Sequence, residues 1–126
     1  MSNLKCGMHS QPEQLRDRTK AFALRVIRLF RSLPGNTDTQ VLGKQLLRCG
    51  TSVAANYRAV CRARSKAEFV ARLGIVAEEA DESVLWLELL IESGIIKSDM
   101  TVALLKEAKE LAAILTASRE TARKSA

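Results

Sequence analysis

Apolar residues recur at steps of three and four along almost the whole chain, and only three short breaks interrupt them. That period gathers the apolar side chains on one face of a helix and does not fit the two-residue alternation of a strand. Ser10 and Glu13 open the first stretch in capping-box spacing, with Pro12 in the first turn, where it is tolerated. Leu15, Thr19, Phe22, Val26, Leu29 and Leu33 form its stripe, and Pro34, Gly35 and Asn36 end it. The second stretch begins near Thr37, whose spacing to Gln40 repeats the capping pattern. It carries Leu42, Leu46, Cys49, Val53, Tyr57 and Val60 and runs to about Arg64, although Gly50 and Thr51 interrupt good helix formers. Ser65 and Glu68 form a third capping box after almost no linker. Phe69, Leu73, Val76, Ala80, Leu87 and Ile91 make its core stripe with Val84 at the flank, and Gly94 suits a left-handed helix end. Ser98 and Asp99 cap a fourth helix with Met100, Leu104, Ala108, Leu111 and Leu115 inward, which frays into a basic tail from Arg119 to Lys124. Connections this short make sequential helices antiparallel. The expected class is therefore all-α, an antiparallel up-down-up-down four-helix bundle. Residues 11–126 are its single domain, and residues 1–10 are a flexible N-terminal arm.

A chain of 126 residues, 47% hydrophobic and 27% charged, is too apolar for disorder and long enough to bury a core without staples. No apolar run has the ~18 residues of a membrane span, and the opening residues lack the apolar core of a secretory signal. A cytoplasmic protein without a membrane partner is expected. The three cysteines are odd in number and form no C-x-x-C pair, so Cys49 and Cys61 read as buried free thiols. The one histidine, His9, lies in the arm, which removes most metal and histidine-dependent nucleophile chemistry.

Charge is distributed unevenly. Residues 1–72 carry 14 Lys/Arg against 4 Asp/Glu, whereas residues 73–126 carry 6 against 10. On the second helix Lys44, Arg48, Arg58 and Arg62 fall within ~80° of one another, at ~100° per residue. Arg64, Lys66 and Arg72 continue the charge around the turn, and Arg16, Lys20, Arg28 and Arg31 occupy the outer face of the first helix. Such a face is either solvated or binds phosphate backbones by charge neutralisation. The few aromatics, Phe22, Phe30, Tyr57, Phe69 and Trp86, fall mostly on core stripes, so base stacking is not expected.

Two helices also carry a second apolar stripe. Leu47, Ala54 and Cys61 form one, and Ile75, Trp86 and Leu89, interleaved with Glu79 and Glu82, form the other. These are either wide flanks of the core or an oligomer interface with Trp86 as anchor. Glu79 and Glu82 are placed to pair with an arginine across a helix or subunit boundary, and Glu78 and Asp81 face outward. No helix supplies the histidines of a carboxylate di-metal site, and no catalytic triad or phosphate-cradling glycine loop is present. No catalytic residue, metal or cofactor is expected.

The run from Gln45 through Arg48 and Ser52 to Asn56, followed by Arg64, Ser65, Glu68 and Phe69 and an acidic segment at Glu79, Asp81 and Glu82, is a recognisable pattern. It resembles the four-helix-bundle family named for the 23S rRNA intervening-sequence protein, over residues 15–120. The resemblance implies a ring, commonly of five subunits, with a basic channel or face. A relative is an accessory protein to the reverse transcriptase of diversity-generating retroelements and binds nucleic acid. Implied partners are thus further copies of the chain, RNA or DNA, and a nucleic-acid enzyme such as a reverse transcriptase. Where members often have Glu-Gly after the Asn, this chain has Arg58, Ala59, Val60, Cys61 and Arg62, which raises the local positive charge. Arg48 and Arg64 combine a motif position with outward charge and are the leading candidates for a partner contact. Two functions stay open: a homopentameric RNA- or DNA-binding bundle, or an interaction module whose charges serve ring assembly.

Overall fold

The computed structural model describes residues 11–125. The arm assigned to residues 1–10, with Cys6, His9 and the Ser10 cap, lies outside the described residues. Four helices follow in order: α1 (Gln11–Ser32), α2 (Thr37–Cys61), α3 (Lys66–Glu92) and α4 (Asp99–Lys124). No strand occurs among the described residues. Each helix packs on its neighbour in sequence, and α1 and α4 meet only lightly to close the up-down-up-down bundle. No described helix is long and apolar enough to cross a membrane.

The interior follows from a shared spacing. Leu15, Thr19, Phe22 and Val26 of α1 are buried, as are Leu46, Cys49, Val53, Tyr57 and Val60 of α2. Leu73, Val76, Ala80, Ser83, Leu87 and Leu90 of α3 face Thr101, Leu104, Ala108, Leu111 and Leu115 of α4. Alternating steps of three and four keep one seam on each helix and suit the shallow crossing of a bundle.

Several expected core positions fall elsewhere, and one reason covers most of them. A residue three or four positions from a core residue can take the next inward place, and only one of the two does. Thr101 takes it ahead of Met100, which is 79% exposed. Leu90 takes it ahead of Ile91, and Val60 ahead of Cys61, which is exposed. Phe69 is 36% exposed because it lies beyond the last core layer, in the first turn of α3. Leu29, Leu33 and Leu42 are half-buried towards the opposite end.

The helix ends also refine the expectation. Asn36, not Thr37, precedes the first turn of α2 and makes no side-chain cap, while Gln40 Nε2 donates to the Pro34 carbonyl at 3.1 Å. The α2 helix ends at Cys61, three residues short of the expected limit. Ser65 Oγ accepts from the Glu68 amide at 3.0 Å, and Glu68 Oε1 accepts from the Arg64 amide at 2.9 Å, so the turn is capped from both sides. Gly94 adopts φ +84°, the left-handed end a glycine permits. Far from fraying, α4 stays helical to Lys124, with Arg123 and Lys124 favourably placed at the negative end of its dipole.

Candidate functional site

The apolar seam turns inward and the charge of α1 and α2 therefore turns outward. Together these helices carry nine Lys/Arg against three Asp/Glu. Among the described residues only Arg18 and Arg48 of the nine pair with a carboxylate. Arg16, Lys20, Arg25, Arg28, Arg31, Lys44 and Arg58 have no such partner, nor has Arg62 at the α2 terminus. The opposite balance holds on α3, where seven acids meet two cations.

The cationic cluster expected from sequence divides into four groups. Arg58 and Arg62 turn towards α1, where they line a hollow of about 450 Å3 with Arg16, Asp17 and Cys61. Lys44 is exposed on the outer face of α2. Arg48 turns the other way: its Nη2 donates to Gln45 Oε1 at 3.1 Å and lies 3.7 Å from Glu82 Oε1 on α3. At the end of the bundle Arg64 is exposed, Lys66 Nζ donates to the Ser125 carbonyl, and Arg72 Nε donates to Glu68 Oε2 at 2.9 Å. Arg48 and Arg72 are thus engaged within the chain, while Lys44, Arg58, Arg62 and Arg64 are free to meet an anion.

The two spare stripes lie at different seams, that of α2 towards α1 and that of α3 beside α2. Leu47 and Ala54 each follow by four residues a glycine, Gly43 or Gly50, that abuts α1, and both are half-buried at that seam. Cys61 ends the same line beside Arg16. Glu79 and Glu82 instead face α2 from α3, with Trp86 half-buried beside them. Ile75 and Leu89, 49% and 38% exposed, extend that flank. Only the α3 stripe leaves apolar surface open.

The motif residues hold α2 to α3. Asn56 Nδ2 donates to Glu79 Oε1 at 2.8 Å, two turns from the Gln45, Arg48 and Glu82 cluster. Ser52 is half-buried between them, and Ser65 with Glu68 caps the next helix. The expected arginine partner of Glu82 is therefore Arg48 of the same chain, and Glu79 takes an amide. Ile75, Glu78, Glu79, Asp81 and Glu82 line an acidic hollow on α3. No cluster of three His, Cys, Asp or Glu suited to a metal ion occurs among the described residues.

Burial pushes the Cys49 thiol above its ordinary pKa, and its sulfur lies 3.2 Å from Ser83 Oγ. The Cys61 thiol is also raised by partial burial, against the opposing pull of Arg16, the Tyr57 hydroxyl and Arg62. Two features had no signal in the sequence reading. Arg18 Nε and Nη2 donate to Glu107 at 2.7 and 2.8 Å, and Nη2 also reaches Glu110 at 2.7 Å, which ties α1 to α4. Further along that seam, Arg25, Arg28 and Leu29 face Ile96, Met100 and Leu104 across a groove of about 510 Å3. Both need knowledge of which helices become neighbours at the closing seam.

The family described as 23S rRNA-intervening sequence protein matches residues 13–117. Among solved structures, the chain is similar to a protein of unknown function from the S23 ribosomal protein family of Bacteroides thetaiotaomicron VPI-5482. The two share 32% identity and a TM-score of 0.80, over 88% of this chain and 99% of the other. A comparison with curated proteins finds no match. The family match over most of the chain agrees with the four-helix architecture and with the motif residues that join α2 to α3, and the chain belongs to the 23S rRNA-intervening sequence protein family.

Proposed function

We propose that the protein is a non-enzymatic, homo-oligomeric bundle, assembled as a pentamer, that binds RNA or DNA through the basic face of α1 and α2. The observation that carries this reading is the row of unpaired cations. Arg16, Lys20, Lys44, Arg58 and Arg62 face outward with no carboxylate partner among the described residues. A face left at that charge is costly unless solvated or met by an anion, and a nucleic-acid backbone supplies a continuous one. The aromatic side chains are partly or fully buried or lie at the bundle end, so binding proceeds by charge and shape rather than by stacking. Bound nucleic acid would also bring the protein beside an enzyme that acts on it, such as a reverse transcriptase.

The test is the salt dependence of binding to a labelled oligonucleotide. Affinity falls linearly with log salt, and R58Q with R62Q reduces the slope by about 1.4–1.8, since each lost phosphate contact contributes ~0.7–0.9. Absence of binding at low salt overturns the reading.

A specific observation favours a second reading, in which the charges serve assembly. Glu78 and Asp81 are exposed beside Ile75 on α3, an acidic and apolar surface complementary to α1 and α2. In that case rising salt lowers the oligomeric mass seen by light scattering, with no nucleic acid present.

A further inference from the structure

We propose that Arg16, Arg58 and Arg62 form one discrete site for a phosphate monoester, astride the seam between α1 and α2. The site deepens the nucleic-acid reading and rests on it only for the source of the phosphate, a strand terminus.

Arg58 stands in the last turn of α2 and Arg62 just past its end, and Arg16 meets them from α1 in the same hollow, with Asp17 and Cys61 completing its lining. None of the three arginines has an ion-pair partner among the described residues, and Asp17, the one acid in the hollow, closes on none of them. The guanidinium groups are thus left with their donors unspent. Guanidinium forks match phosphate oxygens in shape as well as charge. Three arginines and one aspartate leave two net positive charges. A phosphate monoester carries about −1.5 to −2 at neutral pH, whereas an internal phosphodiester carries one negative charge. The charge of the hollow therefore matches a monoester more closely than the backbone.

Cys61 reports on the site because it shares the hollow with the arginines. In the full-length chain, the tryptic peptide Ala59–Arg62 contains Cys61 and neither of the other cysteines. Alkylation of Cys61 by N-ethylmaleimide is followed by mass spectrometry with and without millimolar adenosine 5′-monophosphate, and with adenosine as the uncharged control. The nucleotide is expected to slow alkylation at least threefold, adenosine not to slow it, and R16Q to abolish the protection. R16Q leaves the tryptic cleavage after Arg58 and Arg62 intact and replaces an exposed side chain. Equal rates with and without the nucleotide overturn the site, whatever the affinity for nucleic acid.

The source is read separately from oligonucleotides that differ only in a 5′-phosphate or a 5′-hydroxyl. A fivefold preference for the phosphate, lost in R16Q, supports the strand terminus. Equal affinity of the two strands overturns that source. Protection by the nucleotide with no oligonucleotide binding at all keeps the site, as one for a free monoester, and overturns the nucleic-acid reading.

Discussion

Two glycines of α2 look alike in sequence and differ in consequence. A Cβ at Gly50 would stand 2.9 and 3.0 Å from the two γ-carbons of Val26, a stiff β-branched side chain with no exposed surface. At Gly43 the nearest atom, 2.6 Å away, is the flexible far end of half-buried Leu33. Alanine gains up to ~1 kcal/mol of helix propensity at either place. Overpacking a rigid core costs about 1–3 kcal/mol. G50A is therefore expected to lower stability in urea denaturation by ~1–2 kcal/mol, and G43A to stay within ~1 kcal/mol of the parent. Trp86 presents the reverse case. Its indole N–H is buried with no acceptor among the described residues, which costs about 1–3 kcal/mol. W86F removes that donor with a modest loss of area. It should change stability by less than ~1 kcal/mol, and a larger loss would mean that the N–H has a partner in solution.

At the scale of elements, the turn between α2 and α3 depends on one carboxylate. The Arg64 backbone N–H and then Arg72 hold the Glu68 carboxyl below its ordinary range. A folded pKa lowered in this way adds stability above the unfolded pKa, and that stability is lost as pH falls through the folded value. The Arg64 amide should therefore exchange faster with solvent as the pH drops below the carboxylate range, relative to amides in mid-α3. E68Q should remove that pH dependence, as followed by NMR. The cap itself was legible because serine and glutamate at this spacing satisfy a helix start whatever the tertiary context. Period and breaks likewise revealed four helices and their order. The pairwise ambiguity was not legible: nothing local distinguishes Met100 from Thr101, or Ile91 from Leu90, until a neighbouring helix stands on one side. The candidate site was legible as charge but not as grouping. Arg48 and Arg58 share the outer side of α2 in sequence, yet Glu82 claims the first and the α1 seam receives the second.

For the molecule as a whole, the closing seam is the thinnest, and Arg18 is its main polar tie. Its guanidinium bridges Glu107 and Glu110 and is held above its ordinary pKa mainly by the Glu107 hydrogen bond. The side chain is 34% exposed, so solvent screens the pair and R18A is expected to cost only about 1 kcal/mol. Its effect should be local. Hydrogen exchange should quicken along α1 more than along α3, because α1 is then held to α4 by its light apolar packing without the polar tie. An equal rise in all four helices would show that the seam has no separate role.

The order of packing bears on how the chain reaches this state. Nearly every seam joins helices that are consecutive in the chain, so most of the core is built by closing short loops. Low contact order of this kind favours folding in microseconds to milliseconds. Each consecutive pair of helices can close as a hairpin, the α2–α3 turn being fixed by its two-sided cap, while the α1–α4 seam must wait for the last helix. A nascent chain can therefore assemble three of its four helices in the order in which they are synthesised, and only the last step requires its two ends to meet.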